Sequence, residues 1–159
     1  MAVFEASDIV EVAVRIEENG ATFYRYAVQL AGNEEVKTLF QRLADEEVKH
    51  RRIFVQILAG MDRNLPPEGY DGEYAAYLHD YVDNRLIFKA EAFAGELAKL
   101  RSEASALDFA IQRELDAIHY YREMRDLLPA DRREAIERII AEEKEHFVRL
   151  SALRKRLGS

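Results

Sequence analysis

Residues 43–50 read Leu-Ala-Asp-Glu-Glu-Val-Lys-His, and residues 142–146 read Glu-Glu-Lys-Glu-His. Each stretch holds one Glu-x-x-His, Glu47 with His50 and Glu143 with His146. A single Glu precedes each at nearly the same distance: Glu17 lies 30 residues before Glu47, and Glu114 lies 29 before Glu143. Residues three apart share a helix face, so each Glu-x-x-His delivers one oxygen and one nitrogen to the same point. One such motif in an acidic helical chain says little. Two, each trailing a lone Glu by one helix hairpin, define a pattern.

The surrounding sequence shows what kind of face carries them. Four segments have apolar residues at alternating spacings of three and four, the period of an amphipathic helix. The first reads Val10, Ala13, Glu17, Gly20, Tyr24, Ala27, and the second Val36, Phe40, Leu43, Glu47, His50, Phe54, Ile57. The third reads Leu107, Ala110, Glu114, Ala117, Tyr121, Met124, Leu128. The fourth reads Ile136, Ile139, Glu143, His146, Leu150, Leu153, Leu157. In each, the polar residues interrupt the apolar stripe near mid-helix, so antiparallel packing brings them to one level. Glu18, Asp45, Glu46, Glu142 and Glu145 fall off the stripes and read as solvated surface charges.

Four carboxylates and two imidazoles converging in one core are not tolerated without a cation. Left to satisfy one another, the clustered carboxylates would have to take up protons. Six side chains suffice for two ions with open positions, and two ferrous ions would neutralise four carboxylates. Oxygen and imidazole donors without sulfur suit iron or manganese and tolerate zinc. The expected site is therefore a pair of metal ions, iron first, held by Glu17, Glu47, His50, Glu114, Glu143 and His146.

Punctuation along the chain predicts the elements. Ser7-Asp8 opens a first helix, with Asp8 and Glu11 able to form a capping box, and Gly32-Asn33 ends it after about Ala31. Asn33 caps a second helix, roughly 34–59, that stops at Gly60. Residues 61–72, with two of the three prolines, read as a loop. Tyr70, Tyr74, Tyr77 and Tyr81 form a helical stripe suited to packing or a dimer surface; Asn84 to Lys89 looks extended and Ala90 to Arg101 helical. Ser102 caps a third long helix, about 103–128, and Pro129 stops it. Asp131 and Glu134 offer a second capping box for a fourth helix running to about Leu157. The prediction is an all-α four-helix bundle, a single domain over 1–159, built from two hairpins joined by a long crossover containing short helices.

The halves also resemble each other. Glu17-x-x-Gly20-x-x-Phe23-Tyr24-Arg25 parallels Glu114-x-x-Ala117-x-x-Tyr120-Tyr121-Arg122. A small residue leaves room beside each carboxylate, and a Tyr two turns along can hydrogen-bond a ligand. A duplicated hairpin would give a pseudo-twofold site. His79 and His119 have no comparable support and read as surface or interface histidines, and Glu96 lacks a matching Glu-x-x-His.

Composition narrows the function classes. The 159 residues carry a net charge of −7, and the one basic run, Arg154-Lys155-Arg156, suits a helix C-terminus. Nucleic acid is an unexpected partner. With no cysteine, the chain has no disulfides, thiolate zinc sites or iron–sulfur centres of its own. The acidic N-terminus does not read as a signal peptide, and no apolar run reaches membrane-spanning length, so a cytoplasmic location is expected.

Taken together, Glu17-x-x-Gly20-x-x-Phe23-Tyr24, residues 43–50, Glu114-x-x-Ala117-x-x-Tyr120-Tyr121 and residues 142–146 resemble the rubrerythrin branch of the ferritin-like di-iron carboxylate superfamily. The resemblance spans about residues 5–155 and is weakest over 61–101. It implies that Glu47 and Glu143 bridge two irons and that Glu17 and Glu114 are terminal carboxylates. It further implies that His50 and His146 each bind one metal, while Tyr24 and Tyr121 orient the carboxylates. Rubrerythrins reduce hydrogen peroxide with electrons from a rubredoxin-like centre, and such proteins are often dimers, sometimes with exchanged helices. Without cysteines, this chain would need a separate donor protein such as a rubredoxin. Where typical rubrerythrins carry an extra Glu after the third-helix ligand, this chain has Ala117. Its six-residue set is closer to those of bacterioferritin and ribonucleotide reductase subunits.

The leading expectation is a di-iron oxidoreductase that reduces hydrogen peroxide or dioxygen with an external donor. A ferroxidase or iron-handling protein is the alternative within the same chemistry. A metal-stabilised module without turnover is the alternative outside it.

Overall fold

The computed structural model describes residues 6–61 and 90–158. Five helices make up these residues: α1 (Ala6–Leu30), α2 (Glu34–Ala59), α3 (Ala90–Lys99), α4 (Glu103–Leu127) and α5 (Ala130–Leu157). The proline-rich loop, the tyrosine stripe of 70–81 with His79, and the 84–89 segment lie outside the described residues.

Helix ends follow local chemistry. The Asn33 side chain accepts from the backbone N–H of Glu35 and Val36, which starts α2 at Glu34 as the sequence predicts. Ser102 accepts from the Ser105 N–H, and Ser105 returns the bond, closing a capping box on α4. Two helix starts differ from the expected ones. Among the described residues the first helix already includes Ala6, so Asp8 lies within its first turn rather than at the N-cap, and its charge faces the positive end of the helix dipole. Pro129 takes the N-cap position of α5 at φ −54° with no side-chain cap. Its ring sets the turn early, leaving Asp131 within the first turn.

The long helices pair as two antiparallel hairpins, α1 with α2 and α4 with α5. Contacts at the bundle ends fix how the hairpins face each other. Arg132 at the start of α5 donates to the Gly60 carbonyl at the end of α2, 3.0 Å away. At the opposite end, Glu103 accepts from the backbone N–H of Gly32 at 2.7 Å and of Asn33 at 2.8 Å. Between Gly60 and Ser102 the chain therefore travels the length of the bundle, roughly 39 Å for the 26 residues of α2 at about 1.5 Å each. This is the crossover predicted from the sequence.

Two apolar clusters fill the interior. One contains Ile9, Ile16, Phe54, Ile57, Met124, Ile136 and Ile139. The other contains Phe23, Phe40, Leu43, Leu107, Leu150 and Leu153, with Phe93 and Leu97 of α3 laid against it. Every residue of the four long-helix stripes is buried except Leu157, which is 40% exposed at the last position of α5. Between the two clusters, at one level, lie the six polar stripe residues.

Candidate metal centre

Glu17, Glu47, His50, Glu114, Glu143 and His146 are all buried and all meet. Glu17 comes from α1, Glu114 from α4, and each Glu-x-x-His pair from α2 or α5. The donors form two sets. Glu17, Glu47, His50 and Glu143 have ligand atoms within 4.8 Å of one another, as do Glu47, Glu114, Glu143 and His146. Glu47 and Glu143 belong to both sets.

Each set is turned inward in the same manner. His50 Nδ1 lies 3.0 Å from Glu143 Oε1 and 3.6 Å from Glu17 Oε2. His146 Nδ1 lies 3.0 Å from Glu143 Oε2, 3.9 Å from Glu114 and 4.0 Å from Glu47. The imidazoles stack with centroids 5.8 Å apart. Tyr121 donates its hydroxyl to Glu17 Oε1, and Tyr24 donates to Glu114 Oε1. The two sequence-predicted tyrosines thus each serve the carboxylate of the other half.

Two residues that the stripes do not single out complete the site. The first is Glu142. It is half-exposed, yet its Oε2 lies 2.5 Å from His50 Nε2. Its reading as a merely solvated charge is corrected: an exposed Cα still lets a Glu side chain fold back across the α2–α5 seam. The sequence signal was the repeated dipeptide, Glu46-Glu47 and Glu142-Glu143. Glu46, Glu142 and His50 form a third close group on the rim of the site. Glu18 and Glu145 do pair outside, with Arg51 and Arg149, and Asp45 is exposed. His119 is half-buried and lies outside all three groups. Glu96 pairs with Lys99 at 2.7 Å, away from the site.

The second is Arg113, only 2% exposed. Its Nη2 is 3.0 Å from Glu47 Oε2 and 2.9 Å from the Ile16 carbonyl; its Nη1 is 3.5 Å from Glu47 Oε1 and 3.4 Å from Glu114 Oε1. Gly20 makes this possible. A Cβ there would collide with the guanidinium Nη2 and Cζ and come within 2.6 Å of Glu47 Oε2. The room beside the carboxylate expected from the small residue is real, and an arginine fills it.

The electrostatics follow from burial and from these partners. Burial raises the carboxyl pKa of Glu17 well above the ordinary range, and the charges of Glu47 and Glu143 raise it further. Burial likewise raises Glu114, again helped by Glu143 and Glu47. For Glu143 the burial penalty is outweighed by hydrogen bonds with Glu114, His146 and His50, which hold it well below the usual range. The penalty for burying His50 as a cation is outweighed by Glu143 and Glu17, so its pKa is raised far above that of a free imidazole. Arg113 is held charged by Glu47 and Glu114 in the same way.

The donor set fits a pair of divalent ions on an observation independent of motif. Three buried polar side-chain atoms lack a hydrogen-bond partner among the described residues, and two of them are Glu17 Oε2 and Glu114 Oε2. One falls in each set. Buried carboxylate oxygens are seldom left unpaired, and a cation would satisfy both.

Comparison with known proteins agrees with this geometry. The family model described as Rubrerythrin matches residues 8–99, which include Glu17, Glu47 and His50. The crystal structure of a candidate ferritin-like diiron-carboxylate protein from Thermotoga maritima superposes with a TM-score of 0.72 at 30% identity. The match covers 100% of this chain and 99% of that one. No curated protein matches.

Proposed function

Because the chain belongs to the rubrerythrin family of ferritin-like di-iron proteins, we propose that its buried cluster holds two iron ions and that the protein is a di-iron oxidoreductase. Glu47 and Glu143 would be shared by both ions. Glu17 with His50 would complete one position, and Glu114 with His146 the other. The carrying observation is the pair of overlapping donor sets, each with one orphaned carboxylate oxygen. When bound, diferrous iron would supply two electrons, converting hydrogen peroxide and two protons to two waters as it becomes diferric.

The protein's own groups would prepare that chemistry. Tyr121 and Tyr24 hold Glu17 and Glu114 with one oxygen turned inward. Glu142, on His50 Nε2, favours the tautomer whose Nδ1 is free to ligate. The apolar clusters on either side would limit the approach of water to the rim at Glu46 and Glu142. Since the chain has no cysteine, its electrons would come from a separate donor protein such as a rubredoxin.

A second reading, ferroxidase or iron transfer, is favoured by the rim group. Glu46 is partly buried and Glu142 exposed, so the two carboxylates lead from solvent to His50. Ferrous iron arriving there would be substrate rather than cofactor.

Anaerobic loading with ferrous iron, followed separately by hydrogen peroxide and by air, tests the reading through optical absorption. Two irons per chain and faster diferric formation with peroxide are expected. Two irons oxidised mainly by air, with further iron turned over, would shift the assignment to ferroxidase. Fewer than two irons, or a preference for zinc, would overturn the redox assignment.

A further inference from the structure

We propose that Arg113 is a built-in cation that makes the two metal positions unequal: the Glu17–His50 position loads first, and the Glu114–His146 position loads second and more weakly. The inference rests on the reading of the cluster as a two-metal centre.

The repeated hairpins predict a symmetric site, and the ligands obey that symmetry. Their neighbours do not. Glu17 follows Ile16, whereas Glu114 follows Arg113. Three residues after each Glu stand Gly20 and Ala117. These two differences meet at one place, because the Arg113 guanidinium occupies the space that Gly20 leaves and donates to the Ile16 carbonyl. One half of the duplication has supplied a charge, and the other the opening and the acceptor for it.

The charge is not shared evenly. Arg113 engages Glu47, common to both donor sets, and Glu114, which belongs to the second set alone. It makes no ion pair with Glu17 or Glu143. Both oxygens of Glu47 lie within 3.5 Å of its nitrogens, a fork geometry that a lysine ammonium cannot reproduce. A metal at the second position must therefore compete for two carboxyl groups already engaged by a fixed positive charge. A metal at the first position competes for only one. Arg113 Nε is itself buried without a partner, so the guanidinium is held by these carboxylates and by Ile16 rather than by a full shell of acceptors. It stabilises the site before metal arrives and opposes the last metal to enter.

The test is an anaerobic calorimetric titration of the full-length protein with ferrous iron. Wild type should show two resolved steps with dissociation constants at least about tenfold apart, as expected for one buried charge pair lost. Glu17→Gln should remove the tighter step and Glu114→Gln the weaker. Arg113→Gln should tighten the weaker step about tenfold and narrow the gap. It should also lower the thermal midpoint of the metal-free protein more than that of the iron-loaded protein. Arg113→Lys keeps a positive charge but cannot fork across Glu47, so it should narrow the gap in part, by less than Arg113→Gln. Two irons binding in equal steps to wild type would overturn the role of Arg113 while leaving the two-metal reading intact. Fewer than two irons would overturn that reading instead. An unchanged gap in Arg113→Gln, or equal destabilisation with and without iron, would reduce Arg113 to a structural residue. If Arg113→Gln does not fold, the wild-type steps and the Arg113→Lys gap still decide the question.

Discussion

Tyr121 on α4 donates its hydroxyl to Glu17 on α1, 104 residues earlier in the chain. Tyr24 on α1 returns the relationship to Glu114 on α4. Each half of the repeat thus orients the lone carboxylate of the other. Burial, together with Glu17, raises the Tyr121 pKa well above the ordinary phenol, so the hydroxyl stays a donor. Tyr121→Phe should leave Glu17 Oε1 without its donor and loosen the first metal position. Groups that orient a ligand typically contribute about 10- to 100-fold in metal affinity. A ferrous-iron titration of Tyr121→Phe checks this, and an affinity unchanged from wild type would show that Glu17 needs no such support.

Glu47 lies at the intersection of both donor sets and also partners Arg113. Glu47→Ala should abolish tight binding of the pair rather than of one ion. It also takes from buried Arg113 its two-oxygen partner, leaving Glu114 and the Ile16 carbonyl, so the metal-free variant should lose stability by less than the roughly 3–5 kcal/mol of a fully broken buried ion pair. Metal analysis after gel filtration measures the first effect and chemical denaturation the second. A Glu47→Ala protein that still carries two irons would refute the ligand assignment.

Much of this was legible in the sequence. Asn33, Gly60, Ser102 and Pro129 marked the helix ends because capping is local chemistry. The stripes placed Glu17, Glu47, His50, Glu114, Glu143 and His146 at one level because a helical period fixes which face a residue occupies. Arg113 and Glu142 escaped for the opposite reason. Both have Cα positions off the stripe, and both reach the site through long side chains that cross a helix seam. Periodicity reports where a Cα points, not where four or five further atoms can travel. Only the pairing of Gly20 with an arginine from another helix could have revealed Arg113, and that pairing needs the fold.

Glu142 gives a contrasting prediction. Its carboxylate holds His50 Nε2 from the rim and its side chain is 50% exposed. Glu142→Ala should weaken the His50 position about tenfold or more, the lower end of the range for a partner behind a metal-binding histidine. It should alter thermal stability less than loss of a buried ligand does, because the Glu142 carboxylate is half in solvent and water can take its place beside His50 Nε2. A large fall in stability with unchanged iron affinity would mean that Glu142 is a packing residue and that His50 needs no outer partner.

Proton release gives the last prediction, and its sign is fixed by the shifts. Glu17 and Glu114 have folded pKa values raised above those of the unfolded chain. Their contribution to metal-free stability is full below about pH 4.3 and declines as pH rises toward the folded values. His50, also raised, contributes fully below about pH 6.5 and loses that contribution above it. Glu143 is lowered, so its contribution is lost only as pH falls below about 4.3. Metal-free protein should therefore weaken on going from pH 6 to pH 9. Metal binding requires deprotonated carboxylates and a neutral imidazole, so it must expel the protons that Glu17, Glu114 and His50 retain. Titrating zinc, which adds no redox step, into lightly buffered protein at pH 7 should release protons in measurable excess. Affinity should rise between pH 6 and pH 8. Zinc binding with no proton release and a flat pH profile would show that these groups are already ionised without metal. The raised values of Glu17, Glu114 and His50 would then not describe the protein in solution.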